Sequence, residues 1–162
     1  MNGMTKRPKP TKRRRTKAAR FVHLDRVYPA RLIRVKPDPD KRYVVEVHIT
    51  RTRRKMRDQT RRWHNDQGPD TRGAVLSNYK SRSGRPVLRE GRVVAFMFLN
   101  QRDLRDAPGL LVSHESAHAG MAWARFRRAD LRKMPGEEVM AHATGELTQQ
   151  ITNRLWGMGV LG

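Results

Sequence analysis

His114-Glu115-Ser116-Ala117-His118 is the stretch of this chain whose residue types and spacing suit chemistry. Residues four apart on a helix share one face, so both imidazoles can reach one metal ion. Glu115 projects beside that metal position. There its carboxylate can take a proton from an attacking water and pass it to a leaving amine. The chain has no cysteine, so a metal must be held by imidazole and carboxylate, and an open three-ligand site of that kind suits Zn2+.

The third ligand is expected from the next helix. Glu137 and Glu138 follow His118 by nineteen and twenty residues, and Glu138 is preferred. Acidic residues in a first helical turn also have a metal-free reading, because carboxylates favour the positive end of the helix dipole. His142, one turn beyond Glu138, is placed in the catalytic site as a partner that orients a ligand. Ala117, Ala119, Gly120, Ala122 and Ala124 would let the second helix approach closely. The hydrolytic reading requires the two helices to gather His114, His118 and Glu138 around one cation that is open to solvent. Side chains facing apart would leave only a basic binding protein.

The elements that must position these residues follow from pattern. Val27–Val35 reads as a strand interrupted near Pro29. Pro37-Asp38-Pro39-Asp40 reads as a turn, and Tyr43–Thr50 as an alternating strand, together a hairpin. Arg51–Trp63 fits either a strand extension or a short helix. Asn65–Gly91 is loop-rich, with room for a short strand near Ala74–Leu76, and Arg92–Leu99 is a continuous apolar run expected to be a buried strand. Two helices are expected last. One runs from about Leu110 to Phe126. The other follows a break at Met134-Pro135-Gly136 and runs from about Glu137 to Trp156, with Val139, Ala143, Leu147, Ile151 and Leu155 as its core stripe and Gly157 as its stop. Strands first and helices last predict an α+β fold with a small antiparallel sheet.

HESAH followed by EEVMAH resembles a zinc metallopeptidase of the gluzincin type. The run HESAHAG…EEVMAHATGEL in so small a chain is similar to ImmA/IrrE-type proteins of bacteria and their phages. The resemblance covers roughly Val93 to Leu155, with HESAH its specific part. It implies a minimal zincin-like fold and hydrolysis of a peptide bond. It also implies His114, His118 and Glu138 as ligands and Glu115 as the base. Two departures stand out. Gluzincins of the thermolysin kind carry an Asp four residues after the third ligand, where this chain has His142. They also use a downstream His or Tyr for the oxyanion, whereas the last Tyr here is Tyr79, ahead of the motif. An unspecified Arg is left for that contact.

Charge bears on partners. The 162 residues hold 36 Lys and Arg against 15 Asp and Glu, a formal net charge of +21, with a mean hydropathy of −0.84. No run of about 18 apolar residues spans a bilayer, and no apolar segment follows the basic start as in a secretory signal. The expectation is a cytoplasmic protein without disulfides, and its simplest partner is nucleic acid. Residues 1–20 carry nine basic side chains and no acidic one, so they read as a disordered arm ahead of a domain starting near Phe21 and running to residue 162. Arg13, Arg14 and Arg15 in the arm, with Arg53, Arg54 and Lys55 in the Arg51–Arg62 cluster, are the candidate phosphate contacts. Trp63 and Phe126 fit either base stacking or core packing. No helix-turn-helix, RNP signature or zinc-finger spacing is present.

Three functions compete. The first is a zinc metallopeptidase acting on a protein or peptide, such as a nucleic-acid-associated repressor. The second is a basic nucleic-acid-binding or packaging protein whose His/Glu cluster is non-catalytic. The third is an inhibitor that uses its charge to block a nucleic-acid enzyme.

Overall fold

The computed structural model describes residues 31–61, 71–83, 85–89 and 91–161. The basic arm, the domain start at Phe21, Trp63, His23 and His64 lie outside them. Ten elements are described. They are β1 (Arg31–Val35), β2 (Val44–Thr50), α1 (Arg53–Arg61), β3 (Gly73–Ser77), β4 (Tyr79–Arg82), β5 (Arg85–Leu88), β6 (Val93–Asn100), α2 (Gln101–Asp106), α3 (Pro108–Phe126) and α4 (Met134–Gly157). The fold is mixed α+β with a small sheet and four helices among the described residues.

The main sheet has the order β1-β2-β6-β3. β1 and β2 form the expected antiparallel hairpin around the proline-rich turn. β2 and β6, however, pair in parallel, so the sheet is mixed and not antiparallel. The reason is the connection. The chain leaves β2 through α1 and the edge strand β3 before β6 enters the centre, so β6 arrives by a crossover and not by a tight turn. β3 pairs antiparallel with β6 and forms the sheet edge.

Alternation decides what covers each face. Val45, Val47 and Ile49 of β2 join Ile33, Val35, Ala95, Met97 and Leu99 in a core shared with α3 and α4. On the opposite face Phe96, Phe98 and Ala74 pack with Met56 of α1. A strand covered on both faces has no polar side, which is why β6 reads as an unbroken apolar run. Within the Arg51–Trp63 stretch, Arg53–Arg61 form a helix: Met56, Gln59 and Thr60 are its buried stripe, Arg54, Lys55 and Arg61 are exposed, and Arg53 and Arg57 are half-buried.

The helices are cut by recognisable signals. Asn100 caps α2, its Oδ1 accepting from the backbone N–H of Arg102 at 2.8 Å and of Asp103 at 3.2 Å. Pro108 opens α3 and Pro135 lies in the first turn of α4. Met134-Pro135-Gly136 is therefore a helix start and not a break, since proline loses nothing where the N–H has no partner. α4 ends later than expected. Gly159 takes the left-handed φ of +61°, and the Val160 N–H returns to the Leu155 carbonyl at 3.0 Å. Ala143, Leu147, Ile151 and Leu155 are buried as the stripe predicts. Among the described residues no helix is long and apolar enough to cross a membrane.

Candidate functional site

α3 presents different side chains to different neighbours. Its His114 and His118 are exposed, while Glu115 is buried at 4%. The two imidazoles converge: their Nε2 atoms are 3.2 Å apart and the rings meet edge to face. Two nitrogens bound to a tetrahedral zinc at the usual length sit about 3.3 Å apart, so this pair has the separation such an ion requires. Without metal the same separation is an N–H···N hydrogen bond.

Glu115 turns to the other side, toward the sheet edge. Its carboxyl lies on the backbone of Gly73, the first residue of β3. A Cβ at Gly73 would fall 2.5 Å from Glu115 Oε1 and 2.7 Å from Cγ and Cδ. Only glycine admits the side chain there, the close approach that a strand glycine often marks. Burial pushes the carboxyl from its ordinary 4.5 up to about 7, because removal from water penalises the charged form. At neutral pH it is poised to accept or give a proton.

Gly73, His114 and Glu115 border a cleft of about 340 Å³, which Thr71, Arg72, Asp103 and Leu110 also line; His118 is not part of its wall. Asp103 is held by Arg53, whose Nε donates to Oδ2 at 2.8 Å, and this partner keeps the carboxyl below its ordinary range. Arg53, expected at phosphate, is thus engaged in fastening α1 to the wall of the cleft. Leu110 stands 69% exposed one turn before His114 and gives the cleft an apolar lip. Arg72, Gly73 and Leu110 escaped the sequence reading. Gly73, at the opening of the Ala74–Leu76 strand, is the one of the three that a local sequence signal marks.

The structure does not bring Glu138 to the imidazoles. Among the described residues no three His, Asp or Glu side chains form a group that could hold a metal. The cause is the face on which α4 docks. A Cβ at Gly120 would fall 2.4 Å from Thr144 Oγ1 and 2.9 Å from the Met140 carbonyl, so the helices touch there. At 3.6 residues per turn, His114 and His118 lie about 120–160° around α3 from Gly120. Glu138 lies about 120° around α4 from Thr144, and His142 about 160°. Both are exposed. Glu137 shares the face of Thr144 but sits roughly 10 Å along the helix toward the loop. The small residues of α3 do admit α4 closely, but on the side away from the imidazoles.

Of the candidate phosphate contacts, Arg13, Arg14 and Arg15 lie outside the described residues. Arg54 and Lys55 are exposed on α1. Phe126 is a packing residue that meets Tyr43, Tyr79 and Trp123 at 5.0–5.9 Å between ring centroids. Protein-family models, curated proteins and solved structures were compared with the chain, and none matches.

Proposed function

We propose that the cleft is a metal-assisted hydrolytic site of the zincin kind, with a peptide bond as its substrate. The observation that carries this is the geometry on α3: two imidazole nitrogens converge at 3.2 Å, and His114 lines the same cleft as the buried Glu115 carboxyl, which burial pushes up to about 7. His114 and His118 of α3 would supply two of the three protein ligands that an open zinc site takes, and among the described residues no third ligand stands with them. When bound, zinc polarises the carbonyl under attack and makes water a stronger acid. Glu115 accepts the proton of the attacking water and delivers it to the departing amine. Gly73 fixes the direction of that carboxyl, and the edge strand β3 lies along the same side of the cleft. Arg72 is the cation of the cleft wall and is assigned the contact to the developing oxyanion. Leu110 favours an apolar side chain next to the scissile bond. The sequence expectation of Glu138 as third ligand has no support from the docking of α4, so the reading stands on two imidazoles and one base.

The test is the metal content and turnover of the purified chain. About one zinc per chain is expected, lost in His118→Ala. Glu115→Gln is expected to retain the zinc and to cleave unfolded casein 10²- to 10⁴-fold more slowly, the usual worth of a general base. A chain without metal, or a Glu115→Gln variant as active as the parent, removes the proposal.

A second reading has its own observation. With α4 docked away from the imidazoles, the His/Glu cluster is also compatible with a non-catalytic surface pair on a basic nucleic-acid-binding protein. That reading expects nucleic-acid binding unchanged by a chelator.

A further inference from the structure

The β4–β5 hairpin has no part in the cleft. Its register pairs Lys80 with Val87 and Arg82 with Arg85, and directly opposed residues share a face of a two-stranded ribbon. One face therefore carries Lys80, Arg82 and Arg85 around an exposed Val87. The other face has Tyr79 and Leu88 at the base, packed toward Trp123, and the Tyr79 hydroxyl donates to the Ala122 carbonyl at 3.2 Å. The base is anchored, and toward the tip Arg82, Ser83 and Arg85 are exposed.

The charge on that face is unbalanced. No Asp or Glu occurs between Tyr79 and Arg89, and Lys80, Arg82 and Arg85 form no ion pair with a described residue. Two guanidinium groups directly opposed near a hairpin tip repel each other. Ser83 beside them holds a left-handed φ of +49°, a conformation that costs a non-glycine residue energy. A ribbon that concentrates cations at its tip in this way is complementary to a polyanion. Arg89 and Arg92, both exposed, continue the basic run to its base.

We propose that this hairpin is a nucleic-acid-binding ribbon that enters the major groove of duplex DNA, with Lys80, Arg82 and Arg85 on the flanking phosphates. The dimensions agree. Four-residue strands reach about 13 Å, and the groove of B-form DNA, about 12 Å wide and 8.5 Å deep, admits a two-stranded ribbon. The major groove of duplex RNA is too deep and narrow for side chains to read. The contacts give position and affinity and not base sequence. The proposal holds whether or not the cleft is hydrolytic, and its readout is binding in the presence of a chelator.

The experiment measures binding of the full chain to an arbitrary 20-base-pair DNA duplex across a salt series. The triple substitution Lys80→Gln, Arg82→Gln, Arg85→Gln is compared with Arg105→Gln, Arg125→Gln, Arg154→Gln, which removes equal charge from exposed helix positions. Circular dichroism checks that both variants fold. The ribbon variant is expected to lose about 2.7 units of slope in log K against log salt, at roughly 0.9 per phosphate contact. The helix variant is expected to lose less than one. Equal losses would show a response to net charge alone and overturn the ribbon. Wild-type binding to duplex RNA as tight as to DNA would overturn the groove.

Discussion

Gly73 and Gly120 both let another part of the chain come closer than any side chain would permit, yet the two contacts do different things. At Gly120 the neighbour is the backbone of α4 and the Thr144 hydroxyl that bonds the Met140 carbonyl at 2.8 Å. At Gly73 the neighbour is one carboxyl, that of Glu115. The first contact joins two helices over Ala119, Ala122 and Leu147 and serves stability. The second holds an ionisable group out of water at the edge of an open cleft, which is unfavourable for the charged form and adds nothing to the core. One helix thus gives one face to packing and, under the proposed function, another to chemistry.

The comparison is broken most severely at Gly120. Gly120→Val places methyl groups against the α4 backbone, and the helices must separate. A loss of about 3 kcal/mol is expected, measured by urea unfolding. Zinc uptake by the folded fraction should not change, because the imidazoles stand on another side of α3. A stability unchanged by this substitution would show that the helices do not meet there.

Next in size is the pH dependence of Glu115 in chelator-treated protein. Its folded pKa of about 7 lies above the ordinary 4.5, so between those values the folded state holds a proton that the unfolded chain releases. Stability from this group is therefore full below about pH 4.5, falls as pH rises to about 7, and is flat beyond. The fall is at most about 3 kcal/mol. Glu115→Gln should remove it, making the variant more stable than the parent at pH 8 and nearly equal to it at pH 4. A parent and variant with parallel stability profiles would place the carboxyl in water.

What the sequence made legible follows the range of the interactions. The β1–β2 hairpin, the apolar run of β6 and the α4 stripe are set by local period, and they appear where period put them. The spacing of His114 and His118 is likewise local and delivers the convergence of their nitrogens. The parallel β2–β6 pairing, the carboxyl of Glu115 on Gly73 and the face of α3 that receives α4 depend on residues far apart in the chain. No local pattern encodes them. The expectation of Glu138 rests on its distance along the chain from His118, and such a count carries no information on which side two helices touch. The β4–β5 ribbon carries little strand signature because its strands are four residues long and three of the four positions on its outward face, Lys80, Arg82 and Arg85, are charged.

A smaller effect separates the two glycines most cleanly. Gly73→Ala must displace Glu115, whose flexible side chain can swing away, so the cost in stability is expected to stay within about 1 kcal/mol. Exposing the carboxyl returns its ionisation toward the ordinary range. Under the proposed function, turnover at pH 7 should fall by at least tenfold while the zinc content holds. If Gly73→Ala were instead as destabilising as Gly120→Val, the close approach at β3 would be a packing contact like the other one.

The smallest expected effect lies on α4. Glu138→Gln and His142→Ala alter exposed side chains more than 100° around α4 from its contact with α3. Each should leave stability within about 0.5 kcal/mol of the parent, as exposed substitutions usually do. Under the proposed function each should also leave zinc affinity unchanged, whereas His114→Ala and His118→Ala should abolish it. Metal titration of the four variants therefore measures which face of the helix pair holds the ion. A loss of affinity in Glu138→Gln equal to that in His118→Ala would mean that α4 turns about its axis on binding metal. The contact between Gly120 and Thr144 would then open in the loaded protein.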